Sequence, residues 1–420
     1  KNAKTALVND HEIESLLNEI IEPVIISSKL NLKKPYFYII LSDIPNAYVD
    51  PFNRIFITTS FISITSPESL VGVLAHEIAH IKLHHIQKRI SNIKEKKSLM
   101  DIASILSLSA SILSNDSSIF IGSNIASSEM IKKDLINYSK DQEREADIMA
   151  LKYLENSNIT SQGLVDLLSK LLRLQEKSGF NEKEFDILTH PYKASRIKYI
   201  KDFQENSQNN NSFFSKDIHY RYELIRQKIN GYTKSLDELE IIYGDYKDDK
   251  DYALAISYAR EGYIDNSIKH MNQLIKSFDK NPYFYETKGE ILFSFGYSDE
   301  AFKFFNKSLN MNKNNDYLRI RIIEILFNKM QNQENAIEIL DEYNNLKVDT
   351  SKNNKILKIL SQVYKTLKKY NLMNIYLAKF EINQKNYNSA KNYLFKAEEL
   401  TNDKDTLKEI DKLKKIIQNE

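Results

Sequence analysis

Cysteine is absent from the 420 residues. Disulfide staples and thiolate metal sites are therefore excluded, and any metal chemistry falls to His, Asp and Glu. A basic excess is missing as well: 59 Lys and Arg stand against 57 Asp and Glu, for a net charge of +2. That balance argues against a dedicated nucleic-acid binder, which carries a basic surplus, so no nucleic-acid partner is expected. No uninterrupted apolar stretch reaches membrane-spanning length. The nearest, Ile102 to Ser128, is loaded with serine and broken by Asn115-Asp116. It reads either as two short helices packed over the functional site of their own domain or as a lid or hairpin that gates a cleft or touches a membrane peripherally. The chain begins at Lys1 and not at Met. A removed signal peptide or a trimmed sequence would each account for that.

What the chain does have is His76-Glu77-Ile78-Ala79-His80 inside an apolar segment. Ser66-Pro67-Glu68 supplies the start of a helix there: a capping hydroxyl, proline at the first helical position and an acid in the first turn. Residues four apart lie one above the other on a helix, so both imidazoles project from one face and can grip one ion. Glu77 falls on the next flank, placed to take a proton from water. A catalytic zinc site takes three protein ligands and keeps one position open. Glu143, 63 residues beyond His80, is the expected third ligand. It opens an acidic helix whose Ser139 and Gln142 resemble a capping box. Asp147, one turn further on the same face, is expected to accept the remaining N–H of a ligand histidine. Glu145 points to the other side and is expected in solvent. His84 lies about 12 Å along the axis from His76 if the helix continues. His85 would be rotated about 180° from His76, so both are expected at the surface. His190-Pro191 reads as a loop and is followed by Arg196.

The length allows two or three domains. Residues 1–202 read as one mixed domain. Its opening segment, Asp10 to Ile26, has helical apolar spacing, and Tyr36–Leu41 and Arg54–Ile64 read as strands around a turn at Asp50-Pro51. Residues 203–245 read as a linker, rich in Asn, Gln and Ser from Phe203 to Ser215, with a bridging helix near Tyr220–Ile229. Residues 246–420 read as all-helical with an internal period. Ser267, Ala301 and Ala336 are 34 and 35 residues apart, and each opens the second helix of a pair. Around the middle one, Tyr285, Gly289, Leu292, Ala301 and Phe305 fall where tetratricopeptide repeats want large, small, large, small and aromatic residues. Tyr387-Asn388-Ser389-Ala390 looks like the same corner but lies 54 residues on, so an irregular helix or a degenerate repeat is expected between. Stacking neighbours would bury each pair's apolar face; a generic helical bundle is the alternative.

Together these residues resemble the gluzincin peptidases, the metalloprotease family that includes HtpX and the CAAX prenyl proteases. Within it they are most similar to the soluble BepA-type members, which join such a protease to tetratricopeptide repeats. Val73 to Ile81 fits the family's central helix. Ser139 to Asp147 fits the third-ligand helix, with Lys140 where Arg is usual. Leu188-Thr189-His190-Pro191 and Arg196-Ile197 fit the His-Pro loop. Asn46 to Val49 and Arg54 to Ile57 fit the strand pair before the zinc helix, and Asn281 to Gly289 looks like a recognisable repeat segment. Phe52-Asn53 stands where many relatives carry Gly-Gly.

The resemblance implies a mainly α fold: an α+β zincin-like domain with a small sheet, then an all-α tetratricopeptide-repeat solenoid. It implies one Zn2+ held by His76, His80 and Glu143, with Glu77 as general base and Asp147 and Arg196 standing behind the ligands. It implies that His190 approaches the metal or the reacting carbonyl, where it would stabilise an oxyanion or hold the resting enzyme latent. Asn46, Arg54, Ile55, Phe56 and Ile57 are expected to bind extended substrate backbone. The expected activity is endopeptidase cleavage of misfolded or unassembled envelope proteins in the periplasm, with the repeats recruiting substrates or outer-membrane barrel assembly machinery. The rival reading is a repeat-based chaperone or adaptor with a structural or latent zinc site. An intact Glu77 counts against it, because a structural site has no need of a base.

Overall fold

Asp10 accepts from the backbone N–H of Ile13 and starts helix α1 (His11–Ser28), whose apolar side turns inward through Leu16, Leu17, Ile20, Ile21 and Val24. This is the first element after a short strand, β1 (Ala6–Val8), in a computed structural model that describes residues 6–32, 36–50, 52–88, 138–178, 194–206, 212–244 and 250–418. The serine-rich stretch 102–128 and the His190-Pro191 loop lie outside these residues. The chain divides into two compact units, Lys1–Ala253 and Leu254–Glu420.

In the first unit, β2 (Phe37–Leu41), β3 (Ala47–Val49) and β4 (Ile55–Thr58) join β1 in one sheet of order β1-β2-β4-β3. β2 and β4 run parallel, with Phe37 opposite Ile55, and β3 and β4 form an antiparallel hairpin, with Ala47 opposite Ile57. The turn at Asp50 thus joins β3 to β4 and not β2 to β4. Alternation sets the two faces of the sheet. Phe37, Ile39, Ala47, Val49, Ile55 and Ile57 enter the core shared with the helices. Tyr38, Phe56 and Tyr48 stack across the other face, with ring centroids 5.4 and 5.3 Å apart.

The strand expected to run on to Ile64 stops at Thr58. The Thr58 hydroxyl caps a short helix, α2 (Thr59–Ile64), by accepting from Phe61 N–H. Local capping here outweighs the β-branched composition of the segment. Next, Ser66 caps α3 (Pro67–Lys82), and every residue from Pro67 to Ile81 is buried. A helix buried all round belongs in the middle of a domain. Around α3 pack α1, β3, α4 (Lys140–Asn156) and α5 (Gln162–Ser178). Gly163 permits the closest approach: a Cβ there would sit 2.3 Å from the Glu68 carbonyl carbon. Helix α6 (Ala194–Asn206) and helix α7 (Lys216–Thr233) complete the layer, followed by α8 (Leu236–Tyr243). Residues 216–233, part of the stretch read as a linker with a bridging helix, belong to this unit's core. Ile218, Tyr222 and Ile225 are buried in it, and the Tyr222 hydroxyl lies 2.8 Å from Thr65 Oγ1.

The second unit is a helical repeat region. Its helices are α9 (Asp251–Arg260, which straddles the division), α10 (Ile264–Ser277), α11 (Pro282–Ser294), α12 (Ser298–Met311), α13 (Asp316–Asn328), α14 (Gln333–Asn344), α15 (Asn354–Thr366), α16 (Tyr370–Asn383), α17 (Tyr387–Glu399) and α18 (Lys404–Gln418). Small residues are buried in both helices of successive hairpins: Ala255 and Ser267, Gly289 and Ala301, Ala378 and Ala390. Ser267 Oγ donates to the Ala255 carbonyl at 2.6 Å. A Cβ on Gly289 would meet the Phe305 ring at 2.4 Å. The 54-residue gap before Ala390 contains one extra helix, α15. Ile356, Ile359, Leu360 and Val363 of α15 share a core with α13 and α14, whereas α16, α17 and α18 form their own.

Candidate metal centre

Two elements bring the candidate donors together. On α3, His76 and His80 are one turn apart, and their Nε2 atoms lie 3.0 Å from each other. On α4, the capping box at Ser139 and Gln142 fixes the first turn, which carries Glu143. Its Oε2 is 3.5 Å from His76 Nε2, and its Oε1 is 3.7 Å from His80 Nε2. The ligating atoms of His76, His80 and Glu143 all fall within 4.8 Å of one another, and all three residues are buried. No other such group of His, Cys, Asp and Glu occurs among the described residues. Two imidazole nitrogens and one carboxylate suit a borderline divalent cation such as zinc. Glu77 is buried on the adjoining flank of α3.

Behind the donors stands a polar shell. His76 Nδ1 lies 2.9 Å from Asp147 Oδ1. Arg196, on α6, donates to both oxygens of Asp147 at 2.7 Å and reaches Glu143 Oε2 at 3.2 Å. Burial opposes charge on Asp147, but the hydrogen bonds and charges of His76 and Arg196 overcome it and bring its pKa down to about 2. Burial likewise opposes a proton on His76, yet Asp147 and Glu143 prevail and raise its pKa.

Two residues here escaped the sequence reading. His85 was expected at the surface and is fully buried, its Nδ1 2.8 Å from His80 Nδ1 and its Nε2 3.2 Å from Glu145 Oε2. The expectation failed because it continued α3 as a straight helix. The helix stops at Lys82, and His84 takes a left-handed φ of 55°. That reversal turns His85 back beneath His80, while His84 itself is exposed. Burial holds His85 below the usual imidazole range despite its bond to Glu145. Neither Gly nor Pro marks the reversal, so no strong sequence signal announced it. The second residue is Tyr138, whose ring stacks on His80 with centroids 3.8 Å apart. Its position just before a capping box was the one available cue.

The expected substrate strand requires a correction. Ile55, Phe56 and Ile57 belong to β4, which is paired on both sides by β2 and β3. Its backbone groups are taken up within the sheet, so β4 has no free edge for an added strand. Arg54, just before it, is held by Asp50 and lies over the Phe52 ring at 4.9 Å. The Asn46 carbonyl accepts from Thr58 N–H, and Asn46 N–H donates to the Thr58 hydroxyl. The edge of the sheet on this side is β3. His190 lies outside the described residues.

Residues 12–204 match the model of Peptidase family M48. The chain therefore carries a peptidase M48 domain, a metalloprotease domain of a family that uses a metal cofactor, in keeping with the gluzincin resemblance. Among known proteins it is similar to the Beta-barrel assembly-enhancing protease of Escherichia coli strain K12, 23% identical over 194 residues, which cover 46% of this chain and 39% of that protein. It is similar to Metalloprotease YcaL of the same strain, 26% identical over 157 residues, covering 37% and 57%. Over 55 residues it is 47% identical to a Protease HtpX homolog of Persephonella marina, covering 12% and 19%. The matches thus span less than two thirds of each relative's length. No helix among the described residues is long and apolar enough to cross a membrane.

Proposed function

We propose that this protein is a zinc-dependent endopeptidase. The observation that carries the reading is the convergence of His76, His80 and Glu143 within 4.8 Å, in a peptidase M48 domain and beside the buried acid Glu77. His76, His80 and Glu143 would hold the ion. Bound there, zinc would supply a Lewis acid and make a water acidic near neutral pH. Glu77 takes the proton of the attacking water and delivers it to the leaving amine. Asp147 and Arg196 keep His76 in the tautomer that points its Nε2 lone pair at the site. His190 stabilises the developing oxyanion or blocks the resting site.

The substrates are misfolded or unassembled envelope proteins, bound as extended chain. The edge of β3, unpaired among the described residues and packed against α3, is the surface suited to that. The helical repeat region, of tetratricopeptide type, recruits substrates or outer-membrane assembly partners, and the site of action is the periplasm. The name of the similar Beta-barrel assembly-enhancing protease supports this assignment. Glu77→Gln tests the enzyme reading. The variant should keep its zinc and lose casein cleavage by about 10²-fold or more, the usual scale of a general base. Full cleavage by the variant would refute the role of Glu77.

A further inference from the structure

A zinc-binding histidine must present a bare nitrogen to the ion, so the hydrogen on its other nitrogen needs a fixed acceptor. For His76 the carboxylate of Asp147 stands in that place, 2.9 Å from Nδ1. For His80 the partner is another imidazole. His80 Nδ1 faces His85 Nδ1 at 2.8 Å, and His85 Nε2 faces Glu145 Oε2 at 3.2 Å. The donor and acceptor roles follow from the far end. A carboxylate only accepts, so His85 carries its hydrogen on Nε2. A neutral His85 then has a bare Nδ1, which can only accept. His80 must donate from Nδ1, and its lone pair is left on Nε2, the atom facing His76 and Glu143.

We infer that His85 is a positioning residue: it fixes the tautomer and ring orientation of His80, and so sets the affinity of the metal centre. This rests on the zinc reading above. Tyr138, stacked on His80 at 3.8 Å, holds the ring plane from its face while His85 holds it from its edge. The two ligand histidines are thus oriented by different chemistry. His76 is backed by a buried carboxylate clamped by Arg196, and His80 by a neutral ring anchored to a carboxylate that is 58% exposed.

The test compares wild type with His85→Leu and His85→Gln in the full chain, reading zinc affinity by competition with a chromophoric chelator. Thermal melting of the metal-free proteins controls for folding. Leu fills space without accepting, whereas the Gln amide can accept from His80 and donate to Glu145. Zinc affinity should fall about 10- to 100-fold in His85→Leu, the usual cost of losing such a partner, and recover in His85→Gln. Wild-type affinity in His85→Leu, or a loss in His85→Gln as large as in His85→Leu, overturns the inference. Glu145→Ala, at an exposed position, keeps the test decisive if His85→Leu does not fold. Weakened zinc binding supports the relay, and unchanged binding overturns it. Failure of the zinc reading looks different, because wild type itself would then bind no zinc.

Discussion

The His76 Nδ1 atom lies 2.9 Å from Asp147 Oδ1, both groups buried. Arg196 grips the same carboxylate through both oxygens, which fixes where the partner of His76 sits. Asp147→Ala is accordingly expected to lower zinc affinity about 10- to 100-fold while leaving the fold in place. Chelator competition measures the affinity, and circular dichroism the fold. Wild-type affinity in this variant would remove Asp147 from the site.

Zinc should stabilise the first unit by mass action. At a free concentration of about 100 times its dissociation constant, the gain is roughly 2.7 kcal/mol. The melting temperature of wild type should therefore climb with added zinc and drop when a chelator strips it. His80→Ala should melt at a temperature independent of zinc. A zinc-dependent melt that persists in His80→Ala would put the ion elsewhere.

Tyr222 ties α7 to the segment before the motif helix. Its buried hydroxyl lies 2.8 Å from Thr65 Oγ1 and donates to the Ile62 carbonyl at 3.2 Å. Tyr222→Phe leaves these groups a partner short, at a cost of about 1–3 kcal/mol. The midpoint of the first unit's unfolding in urea reads this out. An unshifted midpoint would show that the bonds add nothing.

Gly289 lies against the ring of Phe305, where a Cβ would come within 2.4 Å. Gly289→Ala should destabilise the helical repeat region by about 1–3 kcal/mol, the usual penalty of overpacking. Adding Phe305→Leu should relieve part of the crowding. A Gly289→Ala variant as stable as wild type would show that the α11/α12 hairpin separates freely.

The parts of the fold that local chemistry dictates were legible in the sequence. Ser66 and Ser139 announce α3 and α4, and each caps its helix through its side chain. The spacing of Tyr285, Gly289, Leu292, Ala301 and Phe305 likewise marked the α11/α12 hairpin in the sequence. What sequence reading missed depends on choices settled over distance. Nothing local in Arg54–Ile57 reveals that β4 will be flanked on both sides, because pairing order is set by where β2 and β3 arrive. Thr58 looked like one more β-branched strand residue, and only its cap on Phe61 distinguishes it. At the site, the faces of His76, His80, Glu143 and Asp147 followed from helical spacing. His85 did not, because an unmarked reversal at His84 overrides that spacing.

Anomalous diffraction at the zinc edge from crystals of the purified chain reaches the central claim most directly. A single strong peak is predicted within bonding distance of His76 Nε2, His80 Nε2 and a Glu143 carboxylate oxygen, with no fourth ligand from α3 or α4. No peak at that position, or one surrounded by other side chains, would contradict the account.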